Sequence, residues 1–349
     1  MRDYIRITAQ EIENVVVANN VAEFDFYAQK DLEMAKKAVN REKIDRENLD
    51  REKKGVPFSL KEEKMQTILQ ETKFIMNKYN IKANKNLGQN FLISEDTVNQ
   101  IIESSKICKQ DLIIEIGPGL GTLTKELLEK AGKVICIELD SKMINILKDR
   151  FSLYNNFEII HEDVLKVDLQ QIIQKEKQSE NIKQAKIVAN LPYYITTPII
   201  MKLLEEKLEL ETITVMVQKE VADRLTAIPG GKNTGAITYS VYYYAEATEI
   251  AEVEKNSFIP APEVTSEVIQ FKIRKQPPMQ VSSEKEMFKI IKNAFTQRRK
   301  TLLNALTNTH IFESKEQGGN VFQELGLKEN VRAEELSLED FAKITEKLL

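Results

Sequence analysis

From Asp111 onward the apolar positions switch repeatedly between two periods. Short apolar runs, such as Asp111-Leu-Ile-Ile-Glu-Ile116 and Ala185-Lys-Ile-Val-Ala189, are each followed by a stretch with apolar residues every three or four positions. The first kind suits strands buried on both faces, and the second suits amphipathic helices. The pattern predicts strands near 112–116, 133–138, 157–161, 185–190 and 211–217. It predicts helices near 121–131, 141–153, 167–177, 197–207 and 219–226. This alternation implies an α/β fold with a doubly wound, mostly parallel sheet. Two later runs, near 236–245 and 267–273, have no full crossover helix between them and are expected to pair antiparallel, so the last strand runs against the rest. Pro277-Pro278 closes this region, and 283–349 reads as several short amphipathic helices, a small all-helical C-terminal domain.

Upstream, a helix is expected near 95–105, preceded by the polar loop 85–92, and another from a Ser59 cap to about Tyr79. Thr8-Ala-Gln-Glu11 has capping-box spacing, and from Lys30 to Lys54 charges of both signs crowd out apolar residues. That stretch reads as a solvated or partly disordered helix, since Leu32 and Val39 do not continue into a heptad. The expected division is a charged, mainly helical extension over 1–64, a main domain over 65–276 and a helical domain over 277–349.

Composition narrows the function. The chain is 42% hydrophobic and 30% charged, as in soluble globular proteins, and no apolar run approaches a membrane span. The N-terminus has no apolar signal core, so a cytoplasmic protein is expected. Two cysteines, Cys108 and Cys136, and two histidines, His161 and His310, argue against a disulfide framework and against a His/Cys metal site. With a net charge of −4, any nucleic acid must be met by a local basic patch.

Two turns carry candidate chemistry. Glu115-Ile-Gly-Pro-Gly-Leu-Gly121 joins the first strand of the alternation to its helix, and its glycines let backbone approach a ligand. Glu138 stands nineteen positions beyond Gly119, at the end of the next strand, where an acid accepts from both hydroxyls of a ribose. Loop and acid fit either a dinucleotide or S-adenosylmethionine. Thr122 occupies the position where the dinucleotide fingerprint wants a third glycine or alanine, and the glycines at 117, 119 and 121 have the spacing of a methyltransferase loop. The second turn, Asn190-Leu-Pro-Tyr193, ends a buried strand, because Pro192 cannot continue a ladder. It offers an amide, the Leu191 carbonyl and an aromatic ring, which suit a planar base with an exocyclic amine. An ordinary Asn-Pro turn is the plain alternative, as a surface acid is for Asp163.

Several motifs in order resemble the small-subunit (16S) ribosomal RNA adenine N6-dimethyltransferases, class I methyltransferases with a Rossmann-like sheet. They are Asn86-Leu-Gly-Gln-Asn-Phe-Leu92, Glu115-Ile-Gly-Pro-Gly-Leu-Gly-Thr-Leu-Thr124, Asn190-Leu-Pro-Tyr193, Val217-Gln-Lys-Glu-Val221, Phe258-Ile-Pro-Ala-Pro-Glu-Val264 and Ala294-Phe-Thr-Gln-Arg-Arg-Lys-Thr-Leu302. The resemblance covers about 65–349. It implies methyl transfer from S-adenosylmethionine, leaving S-adenosylhomocysteine, without a metal. The substrate implied is two adjacent adenines in a hairpin near the 3′ end of 16S rRNA, within the immature small ribosomal subunit, and the free enzyme is expected to be monomeric. Residue by residue, Asn90 and Leu92 close over the cofactor and Gly117 and Gly119 form its loop. Glu138 binds the ribose, Asp163 accepts from the cofactor's adenine amine, and Asn190 lies between cofactor and target base. Asn190 and Leu191 accept from the target amine, Tyr193 and Phe258 sandwich the target adenine, and Arg298, Arg299 and Lys300 meet phosphates. Phe258 also reads as a plain core residue, and the basic triplet as a solvated turn.

Three other readings remain. The macrolide-resistance methyltransferases of large-subunit (23S) rRNA share the glycine loop and the Asn-x-Pro-[Tyr/Phe] turn, but Gln297-Arg-Arg-Lys300 favours the small-subunit family. A non-catalytic assembly factor on the same fold would not need Glu138, Asp163, Asn190 and Tyr193 intact. DNA adenine methyltransferases usually carry Asn/Asp-Pro-Pro-Tyr/Phe at the turn.

Overall fold

The computed structural model describes residues 67–84, 87–297 and 299–349. The expectations for 1–64, the Ser59 cap and Arg298 fall outside them. Within Gln66–Leu349, which forms one compact unit, the centre is a seven-stranded sheet. Its strands are β2 (Asp111–Ile116), β3 (Lys133–Glu138), β4 (Phe157–His161), β5 (Gln184–Asn190), β6 (Thr212–Gln218), β7 (Ala245–Val253) and β9 (Ser266–Ile273), in the order β4-β3-β2-β5-β6-β9-β7. The pairs from β4 through β6 are parallel, and β9 runs antiparallel to both β6 and β7. The expected doubly wound sheet with a reversed last strand is therefore present.

Strand alternation sorts the core into two layers. Leu112, Ile114 and Ile116 of β2 face one way, against α5 (Leu169–Lys177) and α6 (Thr196–Glu205). Ile113 faces the other way, with Val134, Cys136 and Val188, against α2 (Glu95–Ser104), α3 (Thr122–Lys130) and α4 (Ser141–Phe151). All six residues of β2 are buried, as a parallel strand covered on both faces must be. The strand order reverses between β2 and β5, so the loops after these two neighbours diverge and leave a crevice at their carboxyl ends. The glycine loop and the Asn190–Tyr193 turn are those two loops.

Three expectations are corrected. The helix ending near Tyr79 is α1 (Ile68–Lys78), and it begins at Thr67, whose hydroxyl accepts from Gln70 N while Gln70 reciprocates in a capping box. The segment 236–245 is not a strand but α8 (Ala236–Tyr244), and the strand is β7 after it. Its run of aromatic and β-branched residues has strand-like propensity, yet it forms a helix because two of its sides are covered. Ile237 and Val241 pack in the sheet core, while Tyr239 and Tyr243 enter a separate cluster with the C-terminal helices. The loop 85–92 ends in a two-residue strand, β1 (Phe91–Leu92), paired with β8 (Phe258–Ile259).

After α7 (Lys219–Leu225) and α8, the C-terminal part is α9 (Glu284–Ala294), α10 (Leu302–Asn308), α11 (Lys315–Leu325) and α12 (Leu338–Leu348). Met287, Ile291, Leu306, Phe322 and Phe341 are its core. Among the described residues no helix is long and apolar enough to cross a membrane.

Candidate active site

The crevice holds a cavity of about 300 Å³, lined by 87–92, the glycine loop, the ends of β3 and β4, and the turn after β5. That is the lower end of the usual range for ligand sites, roughly 300–1,000 Å³. Its floor is the glycine loop. Gly117, Gly119 and Gly121 all have positive φ, at 65°, 57° and 83°. A Cβ on Gly119 would sit 3.4 Å from the Phe91 ring, and one on Gly121 would stand 2.6 Å from Phe151 Cε2. Positive φ and close packing against Phe91 and Phe151 thus demand glycine at 119 and 121, and α3 opens directly from the loop.

Glu138 forms one wall. Its carboxylate accepts from Gly119 N at 3.3 Å and from Leu139 N and Asp140 N at 2.8 Å each. Burial raises its pKa, and the same backbone donors oppose the rise. Asp163 lines the cavity beside it, and its Oδ1 accepts from Leu165 N at 3.0 Å, fixing its own turn. Beneath them Glu115 is buried, accepting from Thr124 Oγ1 at 2.6 Å and from Cys136 Sγ at 3.4 Å. Desolvation pushes its pKa up to about 7.

The segment 87–92 crosses the mouth as a strap held at several points. Gln89 Nε2 donates to Asp140 Oδ2 at 2.9 Å. Asn90 O accepts from Asn190 Nδ2 at 3.3 Å, Leu92 O accepts from Thr122 Oγ1 at 3.3 Å, and β1 pairs with β8. Asn190 therefore joins strap to turn through its amide nitrogen, which directs Oδ1 away from Asn90. Leu191 buries its side chain in the sheet core, with its N donating to Met216 O at 3.2 Å. Tyr193 is half-buried at the cavity edge, and its hydroxyl lies 2.5 Å from Ser266 Oγ. Burial raises its pKa, so the phenol stays protonated at neutral pH and is no base.

The cavity brings together Asn90, Leu92, Gly117, Gly119, Glu138, Asp163, Asn190, Leu191 and Tyr193. It does not include Phe258. In register with Leu92, that residue is 3% exposed and packs with Val98, Ile101, Val253 and Val268. The two-residue ladder turns its ring into the core. Arg299 and Lys300 are exposed, beyond the turn that ends α9. Sequence reasoning missed Ser266, a buried hydroxyl on β9 that anchors Tyr193. Its only signal was that it follows the Phe258–Val264 motif, and the pairing needs the sheet to be built. Among the described residues no group of three or more His, Cys, Asp or Glu is placed to hold a metal.

A profile of the family described as ribosomal RNA adenine dimethylase matches residues 80–349. The chain is 48% identical over 275 residues to a ribosomal RNA small subunit methyltransferase A of Clostridium botulinum (strain Langeland), covering 79% of this chain and 97% of that one. The protein of the same description in Clostridioides difficile is 46% identical, covering 78% and 92%. Among solved structures, a dimethyladenosine transferase from Plasmodium falciparum superposes with a TM-score of 0.58 at 27% identity, covering 73% of this chain and 95% of that one. The 23S rRNA methyltransferase ErmE, at 21% identity and a TM-score of 0.53 over 74% of this chain and 99% of that one, shares the fold.

Proposed function

Since this chain belongs to the ribosomal RNA adenine dimethylase family, we propose that it methylates N6 of two adjacent adenines in a hairpin near the 3′ end of 16S rRNA. The reaction class is S-adenosylmethionine-dependent dimethylation of small-subunit rRNA adenine, as the family and its curated relatives have it. The observation that supports the assignment of residues is that a glycine cradle with a buried acid and the Asn190–Tyr193 turn open into one cavity.

The cradle and Glu138 fit the cofactor: Glu138 meets the ribose, Asp163 the adenine amine, and the strap through Asn90 and Leu92 covers them. S-adenosylmethionine supplies an electrophilic methyl on a sulfonium, so the protein needs neither a nucleophile nor a metal. What remains for the side chains is to make a poor nucleophile better. The lone pair of adenine N6 is delocalised into the ring. Asn190 Oδ1 and the Leu191 carbonyl accept its two hydrogens and favour a pyramidal nitrogen, stabilisation that grows toward the transition state. Tyr193 holds the extruded base by its face, offsetting the loss of stacking. Each transfer breaks the S–CH3 bond and leaves a cationic N6 that sheds a proton to solvent; monomethylated N6 then keeps one hydrogen for one of the two acceptors, so a second transfer follows where the pocket tolerates the first methyl.

Arg298, Arg299 and Lys300 bind rRNA phosphates in this reading, and the helices of 277–349 form the rRNA-binding domain. The substrate is the immature small subunit, and the free enzyme is cytoplasmic and monomeric. The test is to incubate the protein with labelled S-adenosylmethionine and unmethylated small subunits, large subunits or naked rRNA. Label should enter small subunits and be recovered as N6,N6-dimethyladenosine. Label in large subunits alone would favour the 23S reaction, and no label would sink the proposal.

A further inference from the structure

Two consecutive tyrosines leave the turn after β5 on different sides. Tyr193 reaches across to β9 and Ser266. Tyr194 lies against the strap, where a Cβ on Gly88 would stand 3.3 Å from its Cδ1. Gly88 has φ of +60°, so a side chain there would be strained as well as crowded, and the glycine leaves the ring its place. Tyr194 lines the cavity, yet it is 52% exposed. Partial burial raises the pKa of its hydroxyl, and the negative charges of Asp163 and Glu138, which line the same cavity, raise it further.

Two leucines next to the acids are exposed as well. Leu139, next to Glu138, is 49% exposed, and Leu165, two residues past Asp163, is 37% exposed. Both line the same cavity as Tyr194. Three large, partly exposed side chains thus share one cavity with two carboxylates and a glycine loop. A flat heteroaromatic nucleoside would cover these side chains while its polar edge meets the carboxylates.

We propose that Tyr194 is a cofactor-retaining residue, whose ring closes over the adenosine half of S-adenosylmethionine between the strap and the ends of β3 and β4. The inference rests on the reading of the cavity as the cofactor site. It divides the turn by function: Tyr193 serves the target base and Tyr194 serves the cofactor. Because the ring sits at the mouth, its loss would be felt in the rate at which cofactor product leaves as well as in affinity.

The experiment is calorimetric titration of the full chain with S-adenosylhomocysteine, without RNA, for wild type, Tyr194→Ala and Tyr194→Phe. Tyr194→Ala should weaken binding about tenfold, on the order of the loss of one aromatic packing face. Tyr194→Phe should stay within about twofold of wild type, because the face and not the hydroxyl does the covering. Gly88→Ala, which strains the strap at a φ of +60° and crowds the ring, should weaken binding through strap and ring together. Affinity for small subunits, measured in parallel, should be unchanged in Tyr194→Ala. Wild-type affinity in Tyr194→Ala would overturn the assignment of this ring alone, whatever Gly88→Ala does. A loss confined to subunit binding would overturn it in favour of RNA stacking. No binding by wild type would overturn the cofactor reading of the cavity and this inference with it.

Discussion

The amide of Asn190 is held at its nitrogen by Asn90 O and turns its oxygen away from that carbonyl. As the proposed acceptor for the target amine, a group fixed in this way costs no reorganisation when that amine becomes pyramidal. Asn190→Ala should therefore lower the single-turnover rate by roughly 10²–10³-fold, the range for losing one preorganised polar partner. Subunit affinity should barely move, since phosphates elsewhere dominate it. An equal loss in binding and rate would show that Asn190 acts by holding substrate. Tyr193 and Ser266 make a second residue-scale case. Tyr193→Phe keeps the stacking face but leaves the fully buried Ser266 hydroxyl without this partner, and Ser266→Ala frees the phenol. Each should cost about 1–3 kcal/mol of stability and slow turnover only a few-fold. The double variant should be little worse than either single one, with a coupling of roughly 0.5–3 kcal/mol. Strict additivity in urea unfolding and single-turnover rate would show that the hydroxyl pair does not position the ring. Phe258 belongs to a different class. At 3% exposure in the core, Phe258→Ala would act first through stability, so its kinetics bear on the base pocket only where the variant remains folded.

At the level of elements, β2 does two things at once. Its alternating side chains fill both layers of the core, and its end carries Glu115 beneath the glycine loop. Burial lifts the folded-state pKa of Glu115 from 4.5 to about 7. The folded protein then holds an extra proton between those values, so stability falls as pH rises from about 4.5 to about 7 and levels off above. The span amounts to about 3 kcal/mol at most. Glu115→Gln keeps an acceptor for Thr124 and removes the titration, so its unfolding free energy should be flatter across that window. Urea unfolding at several pH values measures this directly, and an unchanged slope would assign the pH dependence to other groups, Glu138 first among them, since its pKa is also raised. A similar compromise lies in β5, where Lys186 is buried and meets Asp111 Oδ2 at 2.8 Å while donating to the carbonyls of Ser105 and Lys106. That cation ties the end of α2 to the sheet, where the helix dipole favours it.

For the whole molecule the question is how a chain of net charge −4 holds a polyanion. Arg299 and Lys300 are exposed, and replacing them together with Arg298 should weaken subunit binding and flatten its salt dependence. The slope should fall by about 0.7–0.9 for each phosphate no longer neutralised. Cofactor affinity should stay as it was. Binding measured at a series of salt concentrations decides the matter, and an unchanged slope would return these residues to the solvated surface.

The sequence by itself determined the order of strands and helices from Asp111 to Gln218, because parallel strands buried on both faces and amphipathic helices write unmistakable periods. It also determined the loop, acid and turn, since Gly117, Gly119, Glu138 and Asn190-Leu-Pro-Tyr193 carry their chemistry in residue type and spacing. Tertiary structure decided what depends on neighbours remote in the chain. Ala236–Tyr244 has the composition of a strand and is a helix because two cores cover it. Phe258 is in the core because a two-residue ladder with Leu92 sets its direction. Ser266 found Tyr193 across seventy-three positions, and Tyr194 found Gly88 across the cleft. Local pattern records which side chains avoid water, but which partner covers each of them is fixed only when the sheet closes and distant segments meet.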